Sequence, residues 1–146
     1  MPAPGFCSVI LRRAVPFTGT AGLEFLQMSR SSVEIGIRNE KKVQNHIGGV
    51  HASAMNLLAE TATGMVVGMN VRDDCVPLAK ELTMAFKKRA TGSLRAVATL
   101  TDEQRAAMQA SDKGEVTVAV TVTDEAGVNP VECEFVWAWV PSGPRK

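Results

Sequence analysis

The sequence predicts an α+β domain in which a six-stranded, mostly antiparallel sheet wraps one long central helix, with a short helix at the N-terminus. Three observations carry that expectation. From Asn45 to Asn70 the chain reads NHIGGVHASAMNLLAETATGMVVGMN, a glycine turn followed by small and apolar residues at helical spacing. Strand-like segments flank it. The clearest is Glu115–Thr123, where Val116, Val118, Val120 and Val122 alternate with Thr117, Ala119, Thr121 and Thr123. Finally, 146 residues, 45% apolar and 21% charged, suit one domain over 1–146 with a full core.

In chain order, residues 5–14 suit a short helix that stops before Pro16, with Arg12 and Arg13 at the end a helix dipole favours. TGTAG at 18–22 reads as a turn. Residues 23–28 and 33–38 form two strands of a hairpin, because Val33, Ile35 and Ile37 alternate with Glu34, Gly36 and Arg38. A polar loop over 39–50 leads into the central helix, about 51–69, with Asn70 as its C-terminal cap. Ala52, Met55, Leu58, Ala59, Ala62, Met65, Val66 and Met69 cover most of its circumference, so protein must surround it. Ser53, Asn56, Glu60 and Thr63 recur at steps of three and four and line one polar stripe. Beyond Pro77 come strands at 81–88 and 94–100, a polar helical insert at 102–110, and strands at 115–123 and 131–140. Cys133, Phe135, Trp137 and Trp139 share one face, and the tail 141–146 frays.

A net charge of +1 argues against a nucleic-acid binder. Residues 51–69 come nearest to a membrane span but are interrupted by Glu60 and several hydroxyl and amide side chains. Arg12 and Arg13 follow the N-terminal apolar run instead of preceding it, unlike a signal peptide. Cys7, Cys75 and Cys133 are odd in number and scattered, which points to reduced thiols and a cytoplasmic location. His46 and His51 lack the companion ligands of a metal site.

Glu60 is the anomaly, since an unpaired carboxylate is costly inside an apolar helix. The helix start ahead of it offers unpaired N–H groups and the positive end of a dipole. Such donors hold a developing oxyanion, here around the amides of Val50, His51 and Ala52. Gly48 and Gly49 permit close approach of backbone to substrate.

Asn45, Gly48, His51 and Glu60 complete a pattern: an Asn, a Gly three on, a His three later, and an acid fifteen after the Asn. It resembles the hotdog-fold acyl-CoA thioesterase superfamily, in particular the phenylacetate-degradation type, and the likeness spans nearly the whole chain. Ala52 and Ser53 stand where that type usually has glycines, and Glu60 where Asp is common. In this the chain looks closer to a less-characterised thioesterase branch. The resemblance implies hydrolysis of an acyl thioester to free acid and coenzyme A. Asn45 would orient the carbonyl or the water, and Glu60 would serve as base or nucleophile. His51 stands with them and shapes the loop by hydrogen bonding.

Asn56, Thr63 and Thr83 are further substrate-binding candidates. Lys87, Lys88 and Arg89 form the densest basic run and suit the phosphates of coenzyme A. Coenzyme A enters as part of the substrate, with no separate cofactor. Nine residues from His51 to Glu60 span about 13 Å of helix, too far for one carbonyl to meet both ends. The site therefore needs two protomers with antiparallel helices, in a homodimer or a dimer of dimers. The alternative is an acyl-thioester or fatty-acid-binding hotdog protein without turnover, which Ala52 and Ser53 favour.

Overall fold

The computed structural model describes residue 9 and residues 11–143. Of the helix expected at 5–14, residues 11–14 are helical and the rest falls largely outside the described residues. Arg12 there donates through Nε and Nη2 to the carbonyl of Leu23, at 3.3 and 3.1 Å.

A short helix α1 (Pro16–Ala21) replaces the turn expected at 18–22. Pro16 occupies its first turn, where the missing N–H costs nothing. Gly22 ends it at φ +73°, the left-handed conformation that only glycine adopts cheaply. Strands β1 (Glu24–Met28) and β2 (Ser32–Ile37) form the expected hairpin. A 3₁₀ turn (Lys41–Val43) precedes the central helix α2 (Ala52–Gly68). Then follow β3 (Cys75–Phe86), β4 (Leu94–Thr99), α3 (Asp102–Ala110), β5 (Gly114–Asp124) and β6 (Val131–Pro141). A capping box between Thr101 and Gln104 starts α3.

The six strands make one antiparallel sheet in the order β1-β2-β4-β5-β6-β3. This is the architecture that the hotdog resemblance implied. α2 lies against the inner face. Leu58, Ala59, Ala62, Val66 and Val67 are fully buried there, as are Val33, Ile35, Ala96, Ala98 and Phe135 from the sheet. Burial stabilises each of the larger side chains by roughly 2 kcal/mol. Small residues let the layers meet closely: a Cβ on Gly64 would come within 2.7 Å of the Trp137 indole.

One further expectation needs correction. β3 begins at Cys75, six residues before the predicted start, because a bulge at Lys80 breaks the alternation that marks a strand. The chain also stays ordered past Pro141, which pairs with Cys75, and Ser142 donates to the Asp74 carbonyl at 2.7 Å. The rest of the tail expected to fray, residues 144–146, lies outside the described residues. β3 is an edge strand, paired to β6 alone, and Val76, Leu78, Leu82 and Phe86 are exposed along it. Among the described residues no helix is long and apolar enough to cross a membrane.

Candidate active site

The loop 45–51 is built by one side chain. Asn45 Oδ1 accepts from the N–H groups of Ile47 (3.0 Å) and Gly49 (3.1 Å). The Asn45 backbone N–H donates to the Gly49 carbonyl at 2.8 Å, and Gly48 takes φ +79°, so the segment closes into a tight turn. The carbonyl half of the Asn45 amide is thus spent on the loop. Its Nδ2 donates to no described residue.

The backbone donors divide sharply. The His51 N–H is taken by the Val43 carbonyl at 2.8 Å, which removes it from the expected oxyanion hole. The Ser53 N–H is taken by Nδ1 of His51 at 3.0 Å, so the histidine ring caps α2. The N–H groups of Val50 and Ala52 have no acceptor among the described residues. Asn45, Gly49, Val50 and Ala52 line one cleft of about 290 Å³, together with Met55, Phe86, Lys88 and Arg89. Three residues with a donor that has no described acceptor, Asn45 through Nδ2 and Val50 and Ala52 through their N–H groups, therefore border one space. The His51 side chain instead lines a different hollow of about 200 Å³, with Phe17, Lys42 and Leu57.

Lys88 and Arg89 form the polar rim of the cleft, while Lys87 lies outside its lining. None of the three has a carboxylate partner among the described residues. The arm that bears them is fixed by the buried Asp124 (3% exposed), which accepts from the N–H groups of Thr91, Ala126 and Val128 at 2.9 Å each. The Thr91 and Val128 N–H groups, with that of Ala126, hold the Asp124 carboxyl below the usual carboxylate range. Arg89 also reaches the Ile47 carbonyl at 3.4 Å.

Glu60 is half-buried in the middle of α2, and no described residue donates to its carboxylate. Asn56, one turn earlier, has a buried Oδ1 without a hydrogen-bond partner. Neither residue lines the Asn45 cleft. Two weaker candidates are corrected. Thr63 is fully buried; its hydroxyl donates to the Ala59 and Glu60 carbonyls and accepts from Trp137 Nε1 at 2.8 Å. It is a core tie, because three residues on from Glu60 the helix has already turned inward. Thr83 pairs with Glu134 and points away from α2, whereas Leu82 pairs with the buried Phe135.

Sequence reasoning missed Asn39. Its Nδ2 donates to the Gly48 carbonyl (3.1 Å), and its Oδ1 accepts from Gln44 Nε2 (3.0 Å). Its loop position between a strand and a glycine turn was the only signal. Among the described residues no group of three His, Cys, Asp or Glu side chains suits a metal ion.

Known proteins share this architecture. A family model for a domain of unknown function, DUF4442, matches residues 5–140. A Pseudomonas aeruginosa protein of unknown function, called a probable thioesterase, superposes with a TM-score of 0.84 at 24% identity, over 97% of this chain and 99% of that one. A Haemophilus influenzae thioesterase gives 0.77 at 10% identity, over 97% and 92%. A Staphylococcus aureus thioesterase gives 0.75 at 17%, over 87% and 100%. The S. aureus protein has been solved with a glutamine and, separately, a glutamate replaced by alanine, fifteen positions apart. No curated protein matches the sequence.

Proposed function

We propose that this chain, which belongs to the DUF4442 family, is an acyl-CoA thioesterase whose active site forms between two protomers. The observation that carries the reading is that Asn45, Val50 and Ala52, whose Nδ2 and backbone N–H groups have no acceptor among the described residues, all line one cleft at the start of α2. A thioester carbonyl entering there meets donors with no competing acceptor, and its oxygen gains charge as the tetrahedral intermediate forms. Glu60 of the second protomer acts as general base: it takes a proton from water as the oxygen attacks the carbonyl carbon. Collapse of the intermediate breaks the C–S bond, and the proton passes to the departing thiolate. Since the Asn45 carbonyl is committed to the loop, its amide serves as a donor to the substrate carbonyl and does not accept from water.

Lys88 and Arg89 meet the phosphates of coenzyme A, with Lys87 beside them as a longer-range positive charge. Met55 and Phe86 give the acyl portion an apolar wall. The solved thioesterases of this fold support the reading. So does the glutamine–glutamate pair altered in the S. aureus protein, because Asn45 and Glu60 also stand fifteen apart. The unpaired Cys75 and Cys133 accord with work in the cytoplasm.

Two features support a second protomer. β3 is an uncovered twelve-residue edge with four exposed apolar side chains, and such an edge invites pairing with another strand. The Glu60 carboxylate, half-buried on α2 with no donor among the described residues, suits a face that a second chain completes. A two-fold pairing along β3 sets the two copies of α2 antiparallel and completes two equivalent sites. The test is a panel of acyl-CoA substrates with detection of the free thiol, run on the natural protein and on Glu60→Gln. Turnover that falls by about 10²-fold or more in Glu60→Gln is expected. Equal rates would remove Glu60 from the mechanism, and binding without turnover across the panel would establish the non-catalytic alternative.

A further inference from the structure

We propose that Asn39 is a positioning residue: by clamping the Gly48–Gly49 peptide it sets the direction of the Val50 N–H toward the substrate carbonyl. The inference rests on reading the Asn45 cleft as a thioester site. Its physical basis is the hydrogen bonding of two consecutive peptide units. In the first, the Gly48 carbonyl accepts from Asn39 Nδ2 at 3.1 Å, while the Gly49 N–H donates to Asn45 Oδ1 at 3.1 Å. Both sides of that unit are therefore held. In the second, the Gly49 carbonyl accepts from the Asn45 N–H at 2.8 Å, and the opposite side is the open Val50 N–H. The plane of the second unit, and with it the aim of the Val50 donor, follows from the first.

A peptide between two glycines has no Cβ on either side to resist rotation, and Gly48 at φ +79° has open space around it. Without Asn39 the Gly48–Gly49 unit has one anchor instead of two. Asn39 is itself held at two further points. Its Oδ1 accepts from Gln44 Nε2 at 3.0 Å, and its backbone N–H donates to Ser93 Oγ at 3.2 Å. Ser93 belongs to the arm after Lys88 and Arg89, and its own N–H is fixed by Glu125 at 2.9 Å. One residue thus links the arm that bears the basic rim, through its backbone N–H, to the loop with the proposed oxyanion donors, through its side chain. An amide suits this task because it presents a donor to Gly48 and an acceptor to Gln44 at once.

Two variants separate the donor from its surroundings. Asn39→Asp keeps the acceptor for Gln44 but sets a carboxylate oxygen against the Gly48 carbonyl, which turns attraction into repulsion. Gln44→Leu removes the outer support and leaves the bond to Gly48. For Asn39→Asp we expect kcat to fall roughly 10- to 100-fold, short of the loss on removing an oxyanion donor outright. The unfolding midpoint should move little. Affinity for a trifluoromethyl ketone analogue of the acyl-CoA, which mimics the tetrahedral intermediate, should fall by a similar factor, while affinity for free coenzyme A stays within about 2-fold. Gln44→Leu should stay within about 3-fold of natural kcat.

Equal loss of affinity for the analogue and for coenzyme A, or equal losses of kcat in both variants, would overturn the proposal in favour of general loosening of the loop. Amide ¹H–¹⁵N spectra test it even if no acyl-CoA is hydrolysed. The Gly49 and Val50 peaks should shift in Asn39→Asp and hold in Gln44→Leu. Unmoved peaks in Asn39→Asp would refute the clamp, whereas absence of turnover alone would refute only the thioesterase reading.

Discussion

The two ends of α2 treat their hydrogen bonds in opposite ways. At the C-terminal end Asn70 is buried, at 3% exposed, and every side-chain polar atom is used. Its Nδ2 donates to the Val66 and Arg30 carbonyls at 2.7 Å each, and its Oδ1 accepts from Arg105 Nε at 3.0 Å. The Asn70 backbone carbonyl accepts from Gln109 Nε2 at 2.6 Å. α3 is thereby latched over that end of the helix. At the N-terminal end the Ala52 and Val50 N–H groups and Asn45 Nδ2 have no acceptor among the described residues, and the three residues line a cleft, although the loop around them is closed by hydrogen bonds. The helix has its polar groups satisfied at the end latched by α3 and leaves donors without an acceptor at the end that borders the cleft.

That contrast predicts that damage at the N-terminal end reads out in turnover and damage at the C-terminal end in stability. Asn45→Asp keeps the acceptor for Gly49 and Ile47 but replaces the donor with a carboxylate oxygen that repels the developing oxyanion, so kcat should fall at least about 10²- to 10³-fold, or roughly 3–4 kcal/mol or more in the barrier. Thermal unfolding should shift little. A large drop in melting temperature with kcat per folded molecule unchanged would reverse the assignment. Asn70→Ala should cost about 2–4 kcal/mol in denaturant unfolding, because it strands Arg105 and the Val66 carbonyl. Its kcat per folded molecule should match the natural protein, and a selective loss of turnover would break the comparison.

Thr63→Val should cost about 1–2 kcal/mol by leaving Trp137 Nε1 unpaired in the core. If Thr63 instead touched substrate, KM would rise with stability intact. The smallest effect concerns acid. The folded-state carboxyl of Asp124 titrates below its ordinary value of 3.8, so its contribution is present above that value and is lost as pH falls through the folded value. Stability of the natural protein should therefore decline more steeply below about pH 4 than that of Asp124→Asn. Parallel curves would show that Asp124 does not anchor the arm.

The central helix was legible because its glycine turn, its apolar spacing and Asn70 mark it locally. β5 and β6 were legible through unbroken alternation. α1 was misread as a turn because Thr18, Gly19 and Thr20 suggest one, although Pro16 and Gly22 were the signals of a short helix. The first half of β3 was hidden by the bulge at Lys80, and that bulge also sent Thr83 outward. Asn45 and Glu60 were singled out by their spacing; the structure places Asn45 at the cleft and Glu60 half-buried farther along α2. His51 was expected to shape the loop by hydrogen bonding, as its bond to the Ser53 N–H does, whereas the role of Asn39 was not found, since it depends on bonds that form only when the loop closes. The link from Asn39 to Ser93 crosses 54 residues, beyond any local pattern.

Mixed protomers test the shared site most directly. Asn45→Asp and Glu60→Gln proteins, each nearly inactive alone, are unfolded together in equal amounts and refolded. Random pairing makes half the dimers mixed, each with one site intact, so about a quarter of the natural activity should return. Exchange of the two chains, verified with distinguishable tags, without any recovery of activity would contradict a site built from Asn45 of one protomer and Glu60 of the other.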